Sequence, residues 1–407
     1  MKYVAIASAA LAALVACATA SDTENGSEPG PEQTRDEDGG VRVEEPAPDA
    51  EAADALPSDA APGRERALAC GDAGYCETRL PMSQLGTPPS LRAVWSAGPN
   101  NVWSVSAEGS VLHYDGTAWT ESHRAHYELR TVWATASEVW VGGEGGLLLH
   151  RNANGQWGRL ETGHTDTIVS IYGTSGNDVW FTSRAGFIDH FDGSSVTTFP
   201  LGVPGLQLTT VFGRAGVGTY AAGWVAGARP PSRVGVVTHV PYLFELAPGN
   251  VAIFNAAFSE KAGFVPASGI VTDAPEPNQR VFVLGYVERD FLKAGTTPAT
   301  DYDAKGALLG ADGPANLVDA TRLSTGGSFT VSSIYFPPFL SVWGPSWNDL
   351  RMPFGFGGLL RWNGVDFKGG SFGMGYDHVP ALARSVHGDS SNMWVVGDGF
   401  ALKGSAL

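Results

Sequence analysis

Four histidines stand at similar places along this chain and have the chemistry to bind a metal. They are His113, His150, His190 and, less regularly, His239. A metal site needs imidazole nitrogens that meet within about 2 Å of one ion. The repeat described below puts these histidines on successive strands that diverge from one another. We therefore predict hydrogen bonding inside each repeat and no metal site.

Two groups of acidic residues could serve other sites. Asp301-Tyr302-Asp303, followed by Gly306, resembles part of a calcium loop, but the third ligand and the closing Glu of an EF-hand are missing. Glu288 and Asp290 are carboxylates of the kind that glycosidases use, and we interpret them as an ordinary surface pair. The chain shows no P-loop, nucleophile elbow or zinc-protease helix motif. We assign no catalytic residue and no cofactor.

These residues are positioned by a repeated structural unit. Its sequence marker is a five-residue motif, which we call the phrase, that recurs about every 40 residues. Each copy begins with an apolar residue and most end with an aromatic one, and apolar and polar residues alternate between them, as in a half-buried strand. The copies lie at 91–95, 129–133, 168–172, 208–212, 339–343 and, weakly, 382–386. A period of this length built from short strands is typical of a β-propeller.

The first copy shows how one repeat becomes one blade. After the phrase come a turn at 98–101, a strand at 102–105, a turn at 108–109 and a third strand at 111–114. Asp115-Gly116 follows, the dipeptide that suits a type I′ hairpin turn, and Trp119 begins a fourth strand. Four short antiparallel strands make one propeller blade. The chain is therefore predicted to be all-β, with about seven four-stranded blades and a range of six to eight.

Tryptophan placement separates packing residues from candidate ligand contacts. Ten of the 12 Trp fall on strand positions of the repeat, where large side chains fill the space between stacked blades. Trp224 and Trp347 fall outside the repeat, and we predict them as possible ligand-binding residues. The repeat blurs at 213–335, which we interpret as irregular blades or an insertion. Since loops there are longest, we expect the binding surface near that region.

The start of the chain carries an export signal. Lys2 precedes an apolar run that ends at Ala16, too short to span a membrane as a helix. Leu14-Val15-Ala16-Cys17 resembles the lipobox of bacterial lipoproteins, a family in which this cysteine receives a diacylglycerol after cleavage just before it. The resemblance implies a signal peptide at 1–16 and a lipid on Cys17. Cleavage before Ser21, after Ala18-Thr19-Ala20, is the alternative and would make a secreted protein.

The segment after Cys17 predicts a tether. Residues 18–66 hold 14 Asp/Glu and 4 Arg, a net charge of −10 out of −16 for the whole chain. Such a segment cannot bury enough apolar surface to fold, and its acidic groups repel one another. We assign 17–66 as the lipidated, disordered tether. An acidic chain without a basic stripe is not expected to bind nucleic acid.

Two further cysteines precede the repeats. Cys70 and Cys76 enclose a short Gly-containing segment and could form a disulfide in an oxidising compartment; two free thiols are the alternative. We assign 67–89 as a lead-in with this pair. Because the last repeat lacks its fourth strand, a segment near 76–90 is expected to supply it and close the ring. The propeller then covers 90–407.

The pattern resembles the short propeller repeats of bacterial surface and sensor proteins, including regulator-type and assembly-factor-type propellers. That resemblance implies a fold and leaves the activity open, because propellers host many functions. We favour a lipid-anchored, non-catalytic protein of the bacterial cell envelope, at the outer membrane or cell surface, that binds a protein or a glycan. The alternatives are a secreted hydrolase or lyase acting on polysaccharide, and an envelope assembly scaffold.

Overall fold

The described part of the chain folds into seven antiparallel β-sheets. The computed structural model describes residues 68–83, 86–232, 234–261, 263–273, 281–293, 297–310, 316–319, 341–354, 357–364, 367–374 and 382–405. The predicted signal peptide, Cys17 and the tether lie outside these residues. The prediction of a seven-bladed propeller is confirmed.

The chain visits the blades in order, from the first strand of each near the axis to the fourth strand at the rim. The closing strand comes before all of them, and it is β1 (Cys76–Glu77). Blade 1 contains β2 (Leu91–Ser96), β3 (Val102–Ser106), β4 (Ser110–Tyr114) and β5 (Trp119–Arg124). Blade 2 contains β6 (Leu129–Ala134), β7 (Val139–Gly143), β8 (Leu148–Arg151) and β9 (Trp157–Leu160). Blade 3 contains β10 (Ile168–Ser175), β11 (Asp178–Ser183), β12 (Ile188–Phe191) and β13 (Val196–Phe199).

The remaining blades include the blurred region and the ring closure. Blade 4 contains β14 (Leu206–Arg214), β15 (Gly218–Val225), β17 (Val240–Ala247) and β18 (Asn250–Ile253). Blade 5 contains β19 (Phe264–Val271), β20 (Val281–Lys293), β21 (Thr297–Leu309) and β22 (Asn316–Asp319), with β16 (Gly235–Val236) added to β20. Blade 6 contains β23 (Trp343–Ser346), β24 (Asp349–Phe354), β25 (Gly358–Trp362) and β26 (Phe367–Ser371). Blade 7 contains β27 (Ala383–Gly388), β28 (Asn392–Gly397), β29 (Phe400–Ser405) and β1; short 3₁₀ helices lie at Glu144–Gly146 and Ala256–Glu260.

The region at 213–335 holds the last three strands of blade 4 and one further blade, so the ring has seven blades and not eight. Blade 5 takes more chain than the others because β20 and β21 are each 13 residues long. The sequence phrase is hard to see there because Pro266 and Gly269 interrupt the first strand. The weak last copy is also shifted by one residue, since its strand starts at Ala383 and places His387 where five other blades have Trp, Tyr or Phe.

Two faces of the ring follow from the strand order. Each first strand begins at the face where the preceding blade's fourth strand ends, and the turns between second and third strands lie there too; we call this the upper face. Turns between first and second strands and between third and fourth strands lie at the opposite, lower face. Neighbouring first strands run side by side, since contacts join the third position of one copy of the phrase to the fourth position of the next, such as Ser170 with Val211.

A β-bulge marks the start of six first strands. The pairing of first and second strands slips by one residue between the first and third positions of the phrase. A bulge leaves its extra residue unpaired and turns the side chain away from the regular sheet faces. The bulged residues are Arg92, Arg130, Val169, Thr209, Ala267 and Arg384.

The third position of the phrase forms a belt of hydroxyl groups around the axis. A Ser or Thr of one blade accepts a hydrogen bond from the backbone N–H of the next blade's first strand. The pairs are Thr131 with Ile171, Ser170 with Val211, Ser268 with Val342, Ser341 with Val386 and Ser385 with Val94, at 3.0–3.3 Å. These bonds satisfy backbone N–H groups on the strand edges that face the channel. Without the hydroxyls, those N–H groups would have no acceptor within the protein. Ala93 occupies this position in blade 1 and has no hydroxyl.

The hydroxyl belt predicts a matched pair of stability changes. Ser170 Oγ accepts from Val211 N at 3.0 Å and donates to Val211 O at 3.2 Å, so Ser170→Ala is expected to lower the free energy of unfolding by about 1–3 kcal/mol. Ala93→Ser supplies the missing hydroxyl of blade 1 and is expected to raise it by about 0.5–1 kcal/mol. Urea denaturation followed by Trp fluorescence measures both. Equal midpoints for Ser170→Ala and the unmodified protein would contradict the role of the belt.

Tryptophans of the second strands fill the space between blades. Trp140, Trp180 and Trp394 are essentially fully buried. Three blades stack such a Trp on the histidine of the third strand, with ring centroids 4.0–4.2 Å apart; the pairs are Trp103 with His113, Trp140 with His150 and Trp180 with His190. This burial supports the interpretation that Trp residues within the repeat are core residues.

The histidine column is a hydrogen-bonding feature, as predicted for three of its members. His113, His150 and His190 each contact a polar side chain twelve residues earlier, namely Asn101, Glu138 and Asp178, at 2.8–3.1 Å. In blade 6 Arg361 takes the place of histidine and donates to Asp349 at 2.8 Å. The prediction for His239 is wrong, because it precedes β17 and contacts Glu288 of blade 5 at 2.9 Å.

The ring closes through a strand from the beginning of the propeller sequence. β1 pairs antiparallel with β29 and supplies the fourth strand of blade 7. Thr78 donates its hydroxyl to Ala401 O at 3.0 Å, and Trp119 Nε1 of blade 1 donates to Thr78 Oγ1 at 2.9 Å. Cys70 and Cys76 form a disulfide beside this strand, and Tyr75 between them is buried against blade 7.

Candidate binding face

Arginines at three bulges build a continuous chain of ion pairs on the upper face. Arg384 binds Asp398 at 2.9 Å, and Asp398 also contacts Arg92 at 3.2 Å. Arg92 binds Glu128 at 2.8 Å, and Glu128 contacts Arg130 at 3.0 Å. Because the chain crosses blades 7, 1 and 2, it joins the two ends of the propeller sequence to its second repeat.

The ion-pair chain continues to the turn of blade 2. Arg130 contacts Glu144 at 3.0 Å, and Glu144 lies in the turn between the second and third strands. The three arginine side chains are 22–30% exposed, which makes each individual pair weakly stabilising. Their arrangement therefore matters more for presenting fixed charge on the upper face than for holding the fold together.

Beside this chain runs a path of aromatic side chains and glycines, which we call the aromatic path. Tyr127 is 50% exposed and Phe187 is 37% exposed, two of the six large hydrophobic residues exposed in the described part of the chain. Tyr127 lies against Gly145, where an added Cβ would stand 3.4 Å from its ring. Gly146 packs against the His164 carbonyl, and the His164 ring stacks on Phe187 at 4.8 Å.

Glycine is required where the aromatic path crosses the turn of blade 2. Gly145 and Gly146 both have positive φ, at 67° and 66°, a region that residues with a Cβ rarely adopt. A Cβ on Gly146 would also stand 2.2 Å from the His164 carbonyl oxygen. The backbone of this turn therefore lies against the segment that contains His164. This close approach brings Tyr127 and Phe187, which belong to different blades, onto one surface.

A buried carboxylate anchors the aromatic path from below. Asp189 is fully buried on β12, and it accepts from His164 Nε2 at 2.7 Å and from Thr198 Oγ1 at 2.5 Å. Desolvation raises the pKa of Asp189, partly opposed by the hydrogen bonds from Thr198 and His164. The imidazole is thereby held in one orientation, with one ring face on Phe187.

A second charged cluster lies where blade 5 extends upward beside blade 4. Arg229 Nη1 donates to Asp290 at 2.6 Å and its other terminal nitrogen binds Glu288, which also contacts His239. Asp290 is 4% exposed and Glu288 is 8% exposed. The interpretation of Glu288 and Asp290 as a surface pair is therefore wrong: β16 and Arg229 cover them. Glu288 is paired through both of its oxygens, and Asp290 Oδ1 accepts from Arg229 and Thr300, whereas the buried Asp290 Oδ2 has no hydrogen-bond partner among the described residues.

The two tryptophans singled out from the sequence have different environments. Trp224 lies on β15, opposite Gln207 and Pro241, and its partly exposed ring meets His239 edge-on at 4.5 Å. Tyr220, which pairs with Phe212, takes the Trp position of the repeat in this strand, so Trp224 lies on the strand but outside the repeat position, as assigned. Trp347 is 6% exposed and packs on Trp362 in the core of blade 6, so a ligand has no access to its ring faces.

The acidic segment considered for calcium lies on β21. Asp301 and Asp303 pair with Arg289 and Val287 of β20, as alternate residues of a regular strand and not as a loop. Within the described ranges, no group of three or more His, Cys, Asp or Glu side chains is placed to hold a metal ion. No helix in the part of the chain covered by the structure has the length and apolar character needed to cross a bilayer.

His387 near the axis makes stability depend on pH. Its Nδ1 accepts from Ser96 N at 3.0 Å, its ring stacks on Trp95 at 3.8 Å, and desolvation lowers its pKa to about 3, partly opposed by Asp389. The unfolded chain binds this proton near pH 6.5, so His387 adds no penalty above that pH and stability falls as pH drops from 6.5 toward 3. We expect a loss of about 2 kcal/mol at pH 5.

The measurement compares urea denaturation at pH 7.5 and pH 5 for the unmodified protein and for His387→Gln. The variant keeps a hydrogen-bond acceptor without a titrating group, so its loss between the two pH values should be smaller by that amount. The same pH slope in both proteins would show that other groups control acid stability.

The fold and the upper face define the class: this is a seven-bladed β-propeller with a closing strand from the N-terminal side. No protein-family model matches the sequence, and no curated protein matches it. Similar solved structures include YCF48 bound to D1 peptide, with 14% identity, a TM-score of 0.54 and coverage of 83% of this chain and 99% of that one. YCF48 from Cyanidioschyzon merolae has 16% identity, a TM-score of 0.53 and coverage of 82% and 99%.

A propeller of another type is similar to the same extent. The WD40 β-propeller domain of Doa1 has 12% identity, a TM-score of 0.51 and coverage of 82% of this chain and 97% of that one. At these identities the likeness concerns the fold alone. The similarity therefore establishes a propeller fold, and the features of this chain's own surface distinguish it from the other propellers.

Proposed function

We propose that this protein is a non-catalytic propeller of the cell envelope, held at a membrane by lipid on Cys17, that binds a protein partner on its upper face. The main support for the binding role is the aromatic path. It places Tyr127 and Phe187, both exposed, on one surface beside a chain of fixed arginines. Tyr and Arg are enriched among the residues that dominate the energy of protein interfaces.

The shape and charge of this surface favour a polypeptide over a polysaccharide. Aromatic anchors next to alternating positive and negative groups suit a partner with mixed charge and apolar side chains. Among the fold neighbours, YCF48 is known in a complex with D1 peptide, which supports a peptide-binding role for this type of propeller. The buried carboxylates Glu288 and Asp290 are covered by Arg229 and offer little support to the alternative of a polysaccharide hydrolase or lyase.

A binding prediction follows for the aromatic path. The double variant Tyr127→Ser/Phe187→Ser is expected to lose about a thousandfold in affinity for the partner, since each truncated anchor of an interface costs about 2 kcal/mol. The partner is first cross-linked to the full-length protein in intact cells and identified by mass spectrometry. Its purified form is then titrated against the variants by calorimetry.

Ile253→Ser is the matched control, because Ile253 is also 50% exposed but lies on the outermost strand of blade 4. It should bind like the unmodified protein. A glycan array and a polysaccharide hydrolysis assay run beside the titration. Product release from a polysaccharide, or equal partner affinity in the double variant and the control, would overturn the proposal.

A further inference from the structure

A cavity on the propeller axis has the size and lining of a small-molecule site. Its volume is about 390 Å³, and first strands of all seven blades contribute to its wall. Cavities of about 300–1,000 Å³ are typical of ligand sites in proteins. The residues that line it extend past the aromatic position of the phrase to Arg214 and Pro345, so the cavity faces the lower side, away from the aromatic path.

Aromatic rings form much of this wall. Trp95 projects across the axis, since its ring lies 6.3 Å from Tyr172 of blade 3, a blade that is not its neighbour. On its other side the same ring stacks on His387 of blade 7 at 3.8 Å. Phe212 and Trp343 complete the aromatic lining. Tyr172, Phe212 and Trp343 are buried in the wall. Trp95 is partly exposed and offers the apolar surface on which a flat ligand can pack.

The polar groups of the wall are mostly committed to the protein itself. Ser170, Ser268, Ser341 and Ser385 each hold a backbone N–H of the neighbouring blade. Few side-chain donors and acceptors remain for the many hydroxyl groups of a sugar. A ligand with one flat ring and one anionic group needs fewer free polar partners than a carbohydrate does.

One cation stands at the edge of the cavity. The Arg214 side chain is 45% exposed, and its nearest carboxylate oxygen among the described residues belongs to Asp273 at 3.8 Å, beyond hydrogen-bonding distance. The other oxygen of Asp273 accepts from Trp347 N at 2.7 Å, which holds that carboxylate in place. The guanidinium group is ion-paired with Asp273 without a hydrogen bond to it, so its N–H donors can bind a carboxylate or similar anion through two parallel hydrogen bonds.

We propose that the central cavity binds a small aromatic carboxylate, with its ring against Trp95 and Tyr172 and its carboxylate on Arg214. This site lies on the opposite side of the ring from the surface proposed for the protein partner. The site would make the propeller a receptor for a small anionic aromatic compound as well as a binding module for a protein. This second proposal does not depend on the identity of the protein partner.

The test uses 2-naphthoate as the probe and the full-length protein. We expect one molecule bound per chain by calorimetry, with a dissociation constant of about 1 mM or tighter. Arg214→Gln is expected to weaken binding by about tenfold, because the carboxylate loses its charged partner. Arg184→Gln is the matched control, an exposed arginine in the upper-face turn of blade 3, and should leave the affinity unchanged.

Two further measurements test the same site. Trp95→Leu should weaken 2-naphthoate binding. The thermal unfolding midpoint of Trp95→Leu shows whether this variant folds. If Trp95→Leu does not fold, the test relies on Arg214→Gln alone. The neutral analogue 2-naphthalenemethanol should bind about tenfold more weakly than 2-naphthoate and be insensitive to Arg214→Gln. Absence of saturable 2-naphthoate binding up to about 10 mM, equal affinity in Arg214→Gln, or binding of cellobiose in place of 2-naphthoate would overturn it.

Discussion

Replacing Arg351 with Ala is expected to lower the free energy of unfolding by about 3–5 kcal/mol, because it removes one partner of a buried ion pair. The Arg351 side chain is 5% exposed, and its nitrogens donate to both oxygens of Asp349 at 3.2 and 3.0 Å. Its third nitrogen donates to Ser405 O at 3.1 Å on the last strand of the chain. One side chain thus fastens blade 6 to the closing sheet of blade 7.

Arg361→Ala is the matched control for this prediction. Arg361 also binds Asp349, at 2.8 Å, but its side chain is 53% exposed, so we expect a loss below about 1 kcal/mol. Arg351→Lys should fall between the two, since an ammonium group cannot reach both Asp349 and Ser405 as the forked guanidinium does. Urea denaturation and the thermal midpoint measure all three variants. Equal losses for Arg351→Ala and Arg361→Ala would show that burial of Arg351 adds nothing.

Replacing Cys17 with Ser is expected to move the protein completely from the membrane fraction to the soluble fraction. In the proposed lipoprotein, a diacylglycerol and an amide-linked chain would bury many methylene groups in the bilayer, at about 0.8 kcal/mol for each, and without the thiol no diacylglycerol could be attached. Cell fractionation with immunoblotting measures the shift, and mass spectrometry of the N-terminal peptide measures the lipid itself.

Cys70→Ser is the control, because it changes a cysteine of the disulfide and leaves the lipobox intact. It should stay in the membrane fraction even if the propeller becomes less stable. If the Cys17→Ser protein remains membrane-bound, the lipobox interpretation is wrong. If the unmodified protein is found in the medium with Ser21 as its first residue, the protein is secreted.

The repeat made the propeller predictable because its strand residues are repeated more faithfully than its loops. Apolar residues at the first and fourth positions of the phrase and a Trp on the second strand fill equivalent space in blades 1, 2, 3 and 7. Blade 5 escaped detection because Pro266, Ala267 and Gly269 replace the usual side chains of the first strand. The long hairpin of that blade lengthened the interval between copies, which hid the fact that it holds one blade.

The site was less predictable, because it depends on contacts between residues far apart in sequence. Arg92 and Asp398 meet only after the ring closes, and Arg229 reaches Glu288 only because β16 pairs with a neighbouring blade. One signal was present in the sequence: Ser or Thr stands at the third position of most copies of the phrase. A hydroxyl kept among apolar residues indicates a specific hydrogen bond, which is what the belt provides.

The closing strand also determines where mechanical force enters the propeller. Any pull transmitted along the chain from before residue 68 reaches the ring at Cys70, whose disulfide to Cys76 passes the load to β1. That strand is held by blade 7 on one side and through Thr78 by Trp119 of blade 1. If Cys17 is anchored while a partner is drawn away, tension would be borne by the seam of the ring, the place where β1 joins blade 7 and contacts blade 1. The seam, rather than any blade, would then set the force at which the protein opens.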